Sequence, residues 1–169
     1  MAVNAARPPR PLRVAGPALV LLIAVLLAAA LWVGGELREA QAAADDREAV
    51  LRAAGAHALD LLSVGHQSVD ADIKRILDTS TGTAKADYAK TLVTLKETTV
   101  KEKVLQTGAL RACGLVSLKG DMARVMVVGD AVIHREGSKD ALQERFNQWN
   151  MELTKVAGAW LVSKAELVP

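Results

Sequence analysis

The chain has 169 residues, 51% of them hydrophobic but only 3% aromatic, with a formal charge of +2 and one cysteine. So few aromatic side chains argue against a stacking platform for single-stranded nucleic acid. Arg7, Arg10 and Arg13 more than account for the positive charge, so a basic nucleic-acid surface is not indicated. With Cys113 alone, an intramolecular disulfide is impossible.

Residues 1–13 place Pro8, Pro9 and Pro11 among arginines and read as a short cytoplasmic tail. Residues 14–35, VAGPALVLLIAVLLAAALWVGG, carry no charge. As a helix they extend roughly 33 Å, enough for one crossing of a hydrocarbon core about 30 Å thick. Three arginines precede this run while Glu36, Glu39, Asp45 and Asp46 follow it, a bias that places the N-terminus in the cytoplasm and the rest outside. A cleavable signal peptide is the competing reading, with Ala40-Gln41-Ala42 as the site. The apolar run is too long for that and the site too distant, so retention as an anchor is expected.

Residues 36–45 are Ala-rich and helical by propensity, a juxtamembrane linker that either continues the anchor or precedes a new helix near Asp45. Residues 46–169 then form one extracytoplasmic domain. Val50, Leu51, Ala54, Ala58, Leu61 and Leu62 follow a helical stripe that Gly65 ends. Ser68 is the candidate N-cap of a second helix with Val69, Ile73, Ile76 and Leu77 apolar and Asp70, Asp72, Lys74 and Arg75 on the other face. After a loop at Thr79–Thr83, a third helix carries Tyr88, Leu92 and Leu95 on one side and ends near Val100.

From Val104 the period changes. A strand interrupted by Gly108 and Gly114 bends or bulges before Leu118, and Lys119-Gly120-Asp121 is a hairpin turn. Ala123, Val125, Val127, Ala131 and Ile133 alternate with Arg124, Asp130 and His134, so one face of the next strand is buried. A turn at Arg135–Ser138 follows. The apolar phase shifts between Phe146 and Trp149, which predicts a bulge or bend there. Ala157-Gly158 turns the chain into a last strand over residues 159–166. Three helices followed by about four antiparallel strands make an α+β layer arrangement, helices on one face of a curved sheet.

Chemistry is sparse. His57 sits at the edge of the first helical stripe, where burial with an ordinary hydrogen bond outweighs an acid–base role. His66 falls in a loop and His134 at a strand end, so no histidine spacing indicates a metal site. Cys113 has no nucleophile context, and Gly108, Gly114 and Gly120 lack the spacing of a phosphate loop. No catalytic residue, cofactor or metal is expected.

The distributed text Ala53-Ala54, Leu61-Leu62-Ser63, Ser68-Val69-Asp70-Ala71-Asp72-Ile73, Arg75-Ile76-Leu77-Asp78, Thr81-Gly82 and Tyr88 continues in the sheet. There it reads Thr107-Gly108, Gly114-Leu115-Val116-Ser117-Leu118, Gly120-Asp121-Met122-Ala123-Arg124-Val125, Gly158-Ala159-Trp160-Leu161-Val162-Ser163 and Val168-Pro169. In this series the chain resembles the Mce-associated membrane proteins of actinobacteria, single-span proteins with a cone-shaped, nuclear transport factor 2-like domain. Cys113 departs from the pattern, standing where a small residue such as alanine is expected. The resemblance implies a non-enzymatic accessory role that stabilises or organises an Mce-type lipid or sterol transport complex. Its partners would be Mce transporter subunits or other Mce-associated membrane proteins in the plasma membrane. Two alternatives remain open: an assembly protein similar to inner-membrane components of type IV secretion, or a cone cavity that binds a ligand or catalyses, lined by His57, Tyr88 and His134.

Overall fold

The computed structural model describes residues 12–138 and 141–168. The expected cytoplasmic tail lies almost wholly outside the described residues. The chain divides into two compact units, residues 1–44 and 45–169.

The helix α1, Leu12–Leu62, begins in the first unit, where it carries the apolar run, and passes through residues 36–45 without a break. The linker and the first domain helix are therefore one element, and no helix restarts at Asp45. Leu19, Val20, Leu22, Ile23, Val25, Leu26, Leu27, Leu31, Trp32 and Val33 are all exposed. The side chains of residues 12–18, 21 and 28 lie outside the described set, and over the described residues alone no helix is long and apolar enough to cross a membrane.

The second unit is an α+β domain. The end of α1 is followed by α2, Val69–Asp78, and α3, Gly82–Lys101, then by β1 (Val104–Lys119), β2 (Met122–Arg135), β3 (Gln143–Val156) and β4 (Ala159–Val168). The four strands form one antiparallel meander in the order β1-β2-β3-β4. Its tight turns carry the backbone conformations their composition demands. Gly120 has φ 54°, and Ala157 and Gly158 have φ 50° and 84°, the two positive angles of a two-residue hairpin turn that matches sheet twist.

One face of the sheet packs on α1. Val50, Ala54 and Ala58 join Ala84, Ala123, Val125, Val127, Met151, Leu153, Trp160 and Val162 in a single buried cluster. The small residues at 54 and 58 let the helix lie close, and the strict alternation of β2 supplies the facing layer. A second cluster of Val64, Val69, Ile76 and Leu92 fills the space among the helices.

β1 departs from simple alternation because its register with β2 shifts between Leu110 and Ala112 and again between Leu115 and Ser117. Each extra residue reverses the side-chain phase. Gly108 therefore faces inward at an even position, Cys113 and Leu115 at odd positions, and Leu118 at an even one again. Of the bulge or bend expected between Phe146 and Trp149, no bulge is present: β3 pairs with β2 without a register shift from Gln143 to Thr154. Phe146 instead stands on the outward face opposite Asp130, 75% exposed. The irregularity at this edge lies between Glu152 and Leu153 in the β3–β4 ladder.

Both outer strands are partly covered by the loops between helices. His66 N–H donates to the Val104 carbonyl at 2.8 Å and Gln106 N–H to the Val64 carbonyl at 3.0 Å, capping the start of β1. On β4, Thr81 N–H donates to the Val162 carbonyl at 2.8 Å and Val162 N–H to the Thr79 carbonyl at 3.0 Å. These pairings satisfy edge groups that would otherwise recruit another chain.

Candidate functional site

His57 projects from the buried side of α1 with no exposed surface. Its ring meets two other helical elements. Nδ1 lies 2.8 Å from Thr79 Oγ1 at the C-terminus of α2, and Nε2 lies 3.1 Å from the Tyr88 hydroxyl of α3. The Thr79 hydroxyl donates to the Arg75 carbonyl at 2.8 Å, so Thr79 Oγ1 accepts from Nδ1–H. Nε2 is then the acceptor for the Tyr88 O–H. The proton order Tyr88→His57→Thr79→Arg75 leaves every member paired and the ring neutral.

Burial reinforces that state, because it disfavours the charged form of both groups. It lowers the His57 imidazole to about 4, against a smaller opposing pull from Asp60, and pushes the Tyr88 phenol up to about 12. At neutral pH the pair is a structural hydrogen bond rather than an acid–base couple, whose members need values near the working pH.

His134 does not join them. It lines a separate open groove of about 470 Å³ with Gly65, His66, Gln67, Ser68, Leu105 and Glu136. There His66 Nε2 contacts Glu136 Oε2 at 2.8 Å. Among the described residues no group of three or more His, Cys, Asp or Glu side chains is arranged to hold a metal ion. Cys113 Sγ–H donates to the Leu51 carbonyl at 3.6 Å, and burial raises its thiol, which keeps it protonated and unreactive.

Asp72 is the charged group that sequence reasoning misplaced. Expected on the solvated face of α2, it is 2% exposed. Its Oδ2 accepts from Gly65 N–H at 3.0 Å and from the Ser68 hydroxyl at 2.8 Å, and its Oδ1 accepts from Arg75 Nη2 at 2.6 Å. Arg75 Nε also donates to Asp60 Oδ1 at 3.1 Å, tying α2 to the end of α1. The hydroxyl of Ser68, the expected N-cap, is thus directed to this carboxylate and makes no cap bond. The signal was present in the spacing: Val69, Asp72 and Ile76 lie at i, i+3 and i+7 on one helical face.

At the other end of the domain, Asp46 Oδ1 accepts from Lys155 Nζ at 2.6 Å and from Trp160 Nε1 at 3.3 Å. Lys155 lies 5.6 Å from the centre of the Trp160 ring. The Lys155 ammonium holds the Asp46 carboxyl below its ordinary value. Asp46, counted in the sequence only among the acidic residues that follow the apolar run, thus fastens α1 to the β3–β4 hairpin.

The described interior is therefore packed and its polar groups are paired. No buried side-chain nitrogen or oxygen among the described residues lacks a partner.

Residues 12–169 match the family described as "Uncharacterized protein Rv1363c/MT1408-like". The chain belongs to that family. Rv1363c of Mycobacterium tuberculosis (strain ATCC 25618 / H37Rv), described as an uncharacterized protein, is 26% identical over 141 residues, covering 82% of this chain and 51% of that protein. The chain thus spans about half the length of the curated relative it matches.

Among solved structures, the periplasmic domain of DotI aligns with TM-score 0.60 at 16% identity, covering 72% of this chain and 94% of that one. An IcmL-like type IV secretion system protein from Legionella pneumophila aligns with TM-score 0.60 at 12% identity, over 73% and 92%. An NTF2-like protein with a cystatin-like fold from Novosphingobium aromaticivorans aligns with TM-score 0.54 at 12% identity, over 78% and 86%. At these identities the likeness is one of fold: three helices on a four-stranded antiparallel sheet with NTF2-like neighbours. Neither the family's description nor that of its mycobacterial relative names an Mce system.

Proposed function

We propose that this chain is a membrane-anchored, non-catalytic interaction protein whose folded unit works outside the cytoplasmic membrane as a component of an envelope assembly. The observation that carries this reading is the filled space between α1 and the sheet. Val50, Ala54 and Ala58 meet Val125, Val127, Met151 and Leu153 there, and the titratable His57 and Tyr88 are spent on each other. A ligand carrier or enzyme that used the cone interior would need that space open and lined by converging polar groups. The fold is shared with the periplasmic domain of DotI and the IcmL-like secretion protein, which favours the secretion-type assembly role. The motif series supports the second reading, an accessory to an Mce-type transporter.

Crosslinking in the native membrane followed by purification of the full chain separates them. Capture of secretion-channel subunits is the expected result of the first reading and capture of lipid-transporter subunits that of the second. Recovery of the chain alone, at crosslinker doses that capture known membrane complexes, contradicts both.

The anchor is the uncharged run of residues 14–35, whose described side chains are apolar and exposed and are best solvated by lipid. Moving Arg7, Arg10 and Arg13 to the far side of Gly35 inverts or impairs insertion, because Lys/Arg bias sets orientation. Protease protection of residues 45–169 in spheroplasts reads the outcome. An unchanged pattern means that the arginines do not set topology.

A further inference from the structure

The face of the sheet turned away from the helices is uncovered among the described residues, and part of it is apolar. Met122 and Met126 on β2 are exposed there, with Val116 of a β1 bulge beside them. They border two open hollows of about 400 and 370 Å³, which share a wall formed by Arg124 and Glu152. Arg124 Nε lies 3.5 Å from Glu152 Oε1, and the two residues are direct neighbours in the β2–β3 ladder.

Area and charge select what covers this face. Four strands of 10–16 residues, spaced ~4.8 Å apart and rising ~3.3 Å per residue, present roughly 850 Å². Each partner in a standard stable interface gives about 800 Å², and sheets pack face to face at a separation of ~10 Å. A second copy of the chain also fits by charge. A two-fold axis parallel to the strands, running between β2 and β3, sets Arg124 of each copy over Glu152 of the other. An axis across the strands sets each arginine over its own counterpart, so charge chooses the first. With it, Lys164 and Glu166 fall over Ser117 and Gly114 of the other copy, and neither meets a like charge.

Shape agrees. Met122 comes over Thr154 of the other copy, in the wall of the first hollow, and Met126 over Asn150, in the wall of the second. Methionine is the side chain that best fills irregular gaps. The chain enters the domain through Asp46, which is bound to Lys155 and Trp160 of the β3–β4 hairpin, and this axis keeps that end on the same side in both copies. Two chains anchored in one membrane require such an arrangement, an agreement that rests on the anchoring proposed above.

We propose that the chain forms a homodimer in which the outer faces of two sheets pack around this axis. Arg124 and Glu152 of both copies make one four-charge network at its centre, and Met122 and Met126 of each copy fill the hollows of the other.

Sedimentation equilibrium of the full chain in density-matched detergent micelles tests this. The unaltered chain is dimeric. Arg124→Glu and Glu152→Arg each set like charges against one another across the axis and weaken the dimer by about tenfold or more. Mixed in equal amounts, the two variants pair with each other, because an acidic face then meets a basic one, and the mixture regains the original affinity. A role for the Arg124–Glu152 pair within one chain gives no such recovery, and recovery also shows that both variants are folded. An unaltered chain that is still monomeric at about 100 µM, where an interface of this size is formed, overturns the proposal and leaves the face to a different protein. Single variants that associate as the unaltered chain does overturn it too, as does a mixture that binds no tighter than its parts. The micelle measurement is independent of the anchoring, which protease protection reports.

Discussion

Gly108→Ala destabilises the folded unit by about 3 kcal/mol, the upper end of the cost of overpacking a core. A Cβ built on Gly108 falls 2.2 Å from the Leu62 Cβ and 3.0 Å from the carbonyl carbon and oxygen of Leu62. The end of α1 rests directly on the β1 backbone here, and a methyl group forces the helix away. Gly129, on the neighbouring strand, lies under the tip of the same side chain, its hypothetical Cβ 2.5 Å from Leu62 Cδ1 and 3.0 Å from the Ala109 carbonyl oxygen. The two glycines therefore respond differently to Leu62→Ala. That change removes the main obstacle at Gly129, so the pair Gly129→Ala with Leu62→Ala costs less than the sum of its parts. It leaves the Cβ and backbone of Leu62 in place, so it does not rescue Gly108→Ala. Denaturant unfolding of the full chain in detergent micelles measures both cycles, and equal rescue at the two positions contradicts the seating described here.

Asp72→Ala costs a similar amount, about 3 kcal/mol, by a different route. The carboxylate is buried and serves the Gly65 N–H, the Ser68 hydroxyl and the Arg75 guanidinium together. Truncation strands two donors and half of an arginine's partners. Asp72→Asn keeps an oxygen for Gly65 and Ser68 and loses mainly the ionic bond, so it costs about half as much. A loss below about 1 kcal/mol for the alanine variant means that water replaces the carboxylate without penalty and that the loop between α1 and α2 does not depend on it.

The element order was legible in the sequence because two different periods succeed one another along it. Helical stripes run through Val50–Leu62 and Val69–Leu77, and β2 alternates without interruption from Ala123 to Val127. That β1 bends or bulges before Leu118 was legible, but the positions of its two register shifts were not. A bulge changes which face a residue occupies but leaves no compositional mark at Arg111 or Val116. Phe146 misled in the opposite way: an exposed aromatic on the outer face imitated a register shift. His57 was visible as a residue at the edge of an apolar stripe, and the cone-cavity alternative had placed Tyr88 beside it. Thr79 was not foreseen, since it is 22 residues away and only tertiary packing brings the two together. Gly108 was read as an interruption in a strand that bends or bulges, while its role is to leave room for a helix that sequence spacing cannot locate.

The meander has a further consequence in the order of synthesis. All three helices precede the strands, and the sheet adds one hairpin at a time from β1 to β4. The stripe of α1 that ends in Leu62 therefore emerges before any of the surface that will cover it. Trp160 and Val162, which complete the buried cluster, belong to β4, the last strand of the sheet. The helical layer of a nascent chain stays uncovered until β4, the last strand of the sheet, is made. In that interval it is the part of the protein most exposed to chaperones and to aggregation.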